Sequence, residues 1–358
     1  MENSQERRYV LALAHLFSNR PRHLRQLKEM YGTAVETWKH INEQDMSAAL
    51  RRADEEEDFI ARHNISVWTE VDEDYPQHLK ECPDAPLLLF GKGNIRANKG
   101  KWVSVVGTRT CTDRGREITR QFVLELAQRC PDLTIVSGLA YGIDIAAHKA
   151  ALEAGIPTVI IAGHGLDRIY PAVHRNIAVA SLKEGGILTE YMSRTDPERY
   201  NFVARDRIIA GISEAVVIVE SKEKGGSLIT AGMANDYNRS LFAFPGRAQD
   251  ETSRGCNRLI RDQKAALIEG ADDFLRLMMW DTLNPLAVQA EIPMRIELTG
   301  NERIVLDKLR EQEDGMQINY VVQETRLPYP DVSSALMMLE MKNLAKSLPG
   351  GIYRALIQ

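Results

Sequence analysis

The chain has 358 residues, more than the about 100–200 usual for one domain, so internal boundaries are expected. Hydrophobic residues at 44% and charged residues at 27% match ordinary globular usage and exclude a disordered or fibrous class. A formal net charge of −5 gives no global attraction to polyanions, so any nucleic-acid contact needs a local basic groove.

No apolar run reaches the about 18–20 residues of a spanning helix. The N-terminus MENSQERRYVLALAHLF has acids before its basic pair and no cleavage site after its apolar stretch, so a cytoplasmic location and no membrane association are expected. Cys82, Cys111, Cys130 and Cys256 lie far apart with no CxxC pair, which predicts reduced thiols and no structural metal. No cofactor is expected.

Residues 1–68 carry apolar positions at helical spacing (Val10, Leu13, Ala14, Phe17; Leu24, Leu27, Met30, Tyr31) and predict a small helical domain. Residues 69–282 are expected to form the main domain. It opens on a proline-punctuated connector, Pro76, Pro83 and Pro86, with one short strand at Leu87-Leu88-Leu89-Phe90. From Lys101 short β-rich runs, VSVVG, TIVSG, TVIIAG, GILTE, AVVIVE and LFAFPG, alternate with amphipathic helices. Strands buried on both faces and spaced by helices predict an α/β fold, a doubly wound, mostly parallel sheet. Residues 283–298 read as a linker. Residues 299–358 show three helical patterns and a turn at Pro349-Gly350-Gly351, the outline of a winged helix.

The first sheet strand ends in Gly107-Thr108-Arg109, just before a helix. Helix N-terminal amides with an arginine beside them suit an anion, although the GxGxxG dinucleotide fingerprint is missing and a tight turn explains the glycine equally well. Ser137-Gly138-Leu139-Ala140-Tyr141-Gly142-Ile143-Asp144 and Gly163-His164-Gly165, then Tyr170-Pro171, follow the next two strands. Three such junctions build one rim at the carboxyl edge of the sheet, where ligands of these folds bind. His148 is expected to pack or to face solvent, since no metal or nucleophile partner stands near it in sequence. The richest stretch pairs Arg205 and Arg207 ahead of an apolar helix, then places Lys224 before Gly225-Gly226-Ser227 at the start of another. Cations and helix starts in that pattern suit phosphate.

Taken in order, VGTR, SGLAYGIDIAAHKAAL, GHGLDRIYP, RDRIIAGIS, KGGSLITA, FPG and GCNRLI resemble the DprA/Smf DNA-processing family. The resemblance implies an extended Rossmann-like domain, an N-terminal sterile-alpha-motif or helix-hairpin-helix domain and a C-terminal winged helix. It also implies a homodimer, through residues 258–277, that binds single-stranded DNA, recruits RecA recombinase and displaces single-strand-binding protein. Carried onto this sequence, Arg109, Arg205, Arg207 and Lys224 become backbone contacts, with Gly107, Thr108, Gly225 and Ser227 supplying amides or hydroxyls. Three positions depart from the pattern: Tyr141 stands where arginine is frequent, Val203 where proline is common, and Asp206 where asparagine is usual. Asp206 weakens binding if it faces the groove, and pairs with a neighbouring arginine otherwise. Tyr141 offers either packing or a stacking face.

Few aromatics border the basic motifs in sequence, which limits the stacking expected. The tail's third helix, residues 331–343, is acidic or neutral where a duplex reader would be basic, and is expected to make protein contacts or to bind duplex weakly. A different reading is a nucleotide-binding or nucleotide-hydrolysing enzyme with Glu190 as acid or base. No Walker lysine, nucleophile elbow or metal cluster accompanies it, so a non-enzymatic role is expected.

Overall fold

The computed structural model describes residues 2–18, 21–280, 298–312, 315–342, 344–348 and 350–356. The expected linker at 283–298 lies, but for its last residue, outside them. Two compact units emerge, residues 1–283 and 284–358.

In the first unit nine strands form one sheet: β1 (Ser66–Thr69), β2 (Leu88–Gly93), β3 (Lys101–Val106), β4 (Leu133–Ser137), β5 (Thr158–Ile161), β6 (Gly186–Thr189), β7 (Ala215–Ile218), β8 (Ser240–Ala243) and β9 (Ala266–Leu267). They run in the order β1-β2-β6-β5-β4-β3-β7-β8-β9. The contacts of β1 with β2 and of β2 with β6 are antiparallel; the rest of the ladder is parallel. All six apolar runs of the main domain are strands. Their continuity reflects burial on both faces: Val103 and Val105 of β3 pack with Phe122 and Phe274, whereas Trp102 and Val106 pack with Ile208 and Val216.

The covering helices are α5 (Gln77–Lys80), α6 (Asp113–Arg129), α7 (Ile143–Ala154), α8 (Arg175–Ser181), α9 (Arg199–Ile212), α10 (Ser227–Asp236), α11 (Arg254–Arg261) and α12 (Ala271–Leu277). Four N-terminal helices, spanning Glu2–Leu16, Pro21–Tyr31, Ala34–His40 and Met46–His63, share a core with Leu88 and Phe90 of β2 and with Met192 after β6. Glu56, buried in the fourth, accepts from the Ser193 amide at 2.9 Å and from Arg52 at 2.8 Å, fixing these helices to the loop that leaves β6. Strand order switches sides at β3: β4, β5 and β6 succeed it on one side and β7, β8 and β9 on the other. In open α/β sheets a crevice opens at the carboxyl ends of the strands at such a switch point.

The second unit holds helices Gly300–Arg310, Ile318–Thr325 and Tyr329–Met341 and a three-stranded sheet of Met316–Gln317, Ala345–Leu348 and Ile352–Ala355. Gly350 and Gly351, both at positive φ, turn the hairpin. Its third helix buries Val332, Ala335, Leu336 and Leu339 and exposes Tyr329, Met337 and Met341.

Candidate nucleic-acid interface

The turns after β3 and β4 press together at the crevice. Gly142 has φ +82°, and a Cβ there would lie 2.1 Å from the Thr108 carbonyl oxygen, so only glycine fits. A Cβ on Gly107 would lie 2.8 Å from the Glu220 carbonyl oxygen, which accepts from the Thr108 amide at 2.8 Å.

The start of α6 is closed from within. The Glu220 carboxylate accepts from the Thr112 amide at 2.8 Å and the Thr112 hydroxyl at 2.6 Å, while the Thr112 hydroxyl accepts from the Gly115 amide. A protein carboxylate therefore occupies the positive end of the helix, where an external phosphate was expected from the sequence, and neutralises it. The anion-attracting function passes to side chains. Arg109, exposed in the turn above, makes no hydrogen bond or ion pair among the described residues.

On the β4 and β5 side of β3 lies an open cleft with a cavity volume of about 50 Å³. Its floor is apolar, from Leu139, Ile161 and Ala162; Arg109 and Arg205 supply cations, and Tyr141, Tyr170 and Phe202 supply rings. Tyr141 is 53% exposed and meets His174 edge-on at 4.9 Å between ring centroids. Tyr170 is 49% exposed and lies 5.6 Å from Phe202. The sparse aromatics expected from the sequence are thus corrected: three separate segments deliver them to one place. Phe202 was nonetheless visible in principle, since it precedes Arg205 by three residues and shares its helix face.

Arg205 is only 4% exposed. Its guanidinium passes over Gly138, where a Cβ would lie 2.0 Å from Nη1, and sits 5.9 Å from the Phe202 ring centre. Nε stands 3.4 Å from Asp206 Oδ1, yet among the described residues Nε and Nη1 have no hydrogen-bond acceptor. Burying donors unpaired is costly, and an arginine so placed suits an anionic guest. Behind it Asp144, at the start of α7, is buried beside Ser137 and the Ala140 amide, and burial raises its carboxyl above the ordinary range. Of the packing and solvent placements expected for His148 the structure has the first, in the core, where it bridges Thr158 Oγ1 at 2.7 Å and the Gly138 carbonyl at 2.5 Å; burial pushes it down to about 4 and keeps it neutral.

Arg207 has a different setting. Two residues beyond Arg205 it lies about 200° round the helix, and its Nη2 meets Glu190 Oε2 at 2.5 Å in the interior. The structure therefore does not bring the two arginines together. Glu190, the acid of the enzymatic reading, is consumed in this pair, and burial raises its carboxyl. Lys224 is exposed in the turn between β7 and α10, on the other flank of β3. Beside it the Ser227 hydroxyl donates to Ser221 Oγ at 2.9 Å, and the Gly225 amide to the Lys222 carbonyl at 3.0 Å, so both groups serve the turn itself. Thr108 Oγ1 likewise sits 3.3 Å from Thr110 Oγ1.

A model of the family described as DNA recombination-mediator protein A matches residues 66–279, more than half the chain. The chain belongs to that family, DprA. A second model, the DprA winged helix domain, matches residues 290–351. Among curated DprA relatives, Protein Smf of Synechocystis is 34% identical over 83% of this chain and 82% of its own length. DNA processing protein DprA of Streptococcus pneumoniae is 40% identical over 56% of this chain and 71% of its own. An X-ray structure of the pneumococcal DprA superposes with a TM-score of 0.60 at 32% identity, covering 76% of this chain and 92% of that one. A structure of DNA processing protein A from Helicobacter pylori, described for its single-stranded DNA binding mode, gives 0.55 at 28% identity, over 62% and 98%. Within the first unit no described helix is long and apolar enough to cross a membrane, and no described cluster of His, Cys, Asp and Glu could hold a metal ion.

Proposed function

We propose that this DprA-family chain binds single-stranded DNA without sequence specificity and promotes loading of RecA recombinase onto it, in natural transformation or recombination, without catalysing a reaction. The observation that carries the binding step is the cleft where Arg205, buried with unpartnered donors, and exposed Arg109 face three aromatic rings. Cations hold phosphates whatever the sequence, and every base has a face to stack. A duplex keeps its bases stacked inward and does not offer them to such a cleft. The single-strand binding mode described for the Helicobacter relative supports the same reading.

Lys224, on the other flank of β3, continues the backbone path, with Gly107, Thr108, Gly225 and Ser227 shaping the turns that carry Arg109 and Lys224. A homodimer through residues 258–277 is supported by exposed Leu267 on the edge strand β9 and exposed Leu277 on α12. The exposed methionines of the winged helix and its lack of basic residues on that helix support contact with protein partners, RecA or single-strand-binding protein, over duplex reading.

Fluorescence anisotropy with a labelled oligo-dT and unlabelled duplex competitor tests the binding step. Salt-sensitive binding that duplex does not displace, lost in Arg109→Ala/Lys224→Ala, is expected; binding that the double variant retains refutes the site. RecA loading is checked by adding the protein to RecA on strands coated with single-strand-binding protein, where RecA's ATPase should rise.

A further inference from the structure

Four charges converge behind the cleft. Asp206 stands within reach of Arg205 on its own helix α9, of Asp144 at the start of α7, and of Arg109 in the turn after β3. Two arginines are faced by two carboxylates, which offset their charge when both are ionised. Asp144 is buried behind the cleft, but Asp206 keeps 19% of its side chain exposed and lies 3.4 Å from the arginine whose donors are unfilled.

We propose that Asp206 makes strand binding proton-linked in this chain: charged, it competes with the DNA phosphate for Arg205, and protonated, it yields the arginine to the phosphate. The proposal rests on the single-strand reading of the cleft. Burial beside a second carboxylate supports it, holding the Asp206 carboxyl up to about 6 despite its arginines, and an arriving phosphate raises it further. Linkage then works in both directions: DNA draws a proton onto Asp206, and acid tightens the hold on DNA. His148 is held at about 4, and burial lowers both His164, beside the cleft floor, and His174, against Tyr141.

The experiment is oligo-dT anisotropy at constant ionic strength from pH 8 to pH 6, a window in which neither phosphodiesters nor thymine titrates. Wild type should tighten about fivefold over this range, the effect of a carboxyl near 6 whose pKa rises by about one unit on binding. Asp206→Asn should bind at pH 8 as tightly as wild type at pH 6 and show no slope, and Asp206→Ser should lose the slope as well. Thermal unfolding establishes that each variant is folded. A flat wild-type profile overturns the coupling, as does a slope that survives in both variants, which would assign it to a histidine. Absence of oligo-dT binding by wild type and both variants at every pH instead refutes the reading of the cleft, and the coupling with it.

Discussion

The two faces of α9 carry the same side chain to opposite ends. Among the described residues, Arg205 reaches the cleft with Nε and Nη1 unfilled, whereas Arg207, with only Nη1 unfilled, is held by the part-buried Glu190, although one residue separates them. The difference lies in what faces each: Gly138 and an open cleft on one side, a part-buried carboxylate on the other. An arginine's presence in a motif does not make it a ligand contact; its partner decides.

The sharpest way to break this comparison is Arg207→Ala. It leaves Glu190 buried without its counter-charge and should cost about 3–5 kcal/mol of stability, read by urea unfolding, while Arg207→Met/Glu190→Leu recovers most of the loss. In the protein that remains folded, the salt slope of oligo-dT binding should stay at the wild-type value. A shallower slope would make Arg207 a phosphate contact after all.

On the cleft face, Phe202→Ala should weaken oligo-dT binding by about 1–3 kcal/mol, the worth of one stacked base, without altering the salt slope. Arg109→Ala should weaken binding by about 1.5 kcal/mol and lower the slope of log K on log salt by about 0.7, the signature of one lost phosphate contact on a single strand. Its unfolding should be unchanged, since Arg109 bonds to no described residue.

A separate effect concerns stability and pH. Asp206 holds its carboxyl up to about 6 in the fold against an ordinary 3.8, so the native chain binds more protons than the unfolded one between those values. Stability contributed by this group falls as pH rises through that window and stays low above it. Asp206→Asn should thus stabilise the protein by up to about 3 kcal/mol at pH 7.5, with the gain shrinking away near pH 4. A gain that persists at pH 4 would contradict the assignment.

The strands were legible because burial on both faces forces continuous apolar runs, and the carboxyl-edge rim because glycine marks each close approach. The winged helix was legible from helical periodicity and its glycine turn. What sequence could not show depends on long-range placement. Glu220 closes α6 from 108 residues beyond Thr112, and Tyr141, Tyr170 and Phe202 leave three different segments to meet in one cleft. The parting of Arg205 from Arg207 follows from helix geometry alone, but which face meets the cleft depends on how α9 packs on the sheet.

Photocrosslinking of an oligo-dT carrying 4-thiothymidine, followed by mass spectrometry of the joined peptides, tests the central claim most directly. Crosslinks to the segments bearing Tyr141, Tyr170 and Phe202, lost in Arg109→Ala/Arg205→Met, are the predicted result. Crosslinks confined to the winged helix or to the Lys224 flank would show that the strand binds elsewhere.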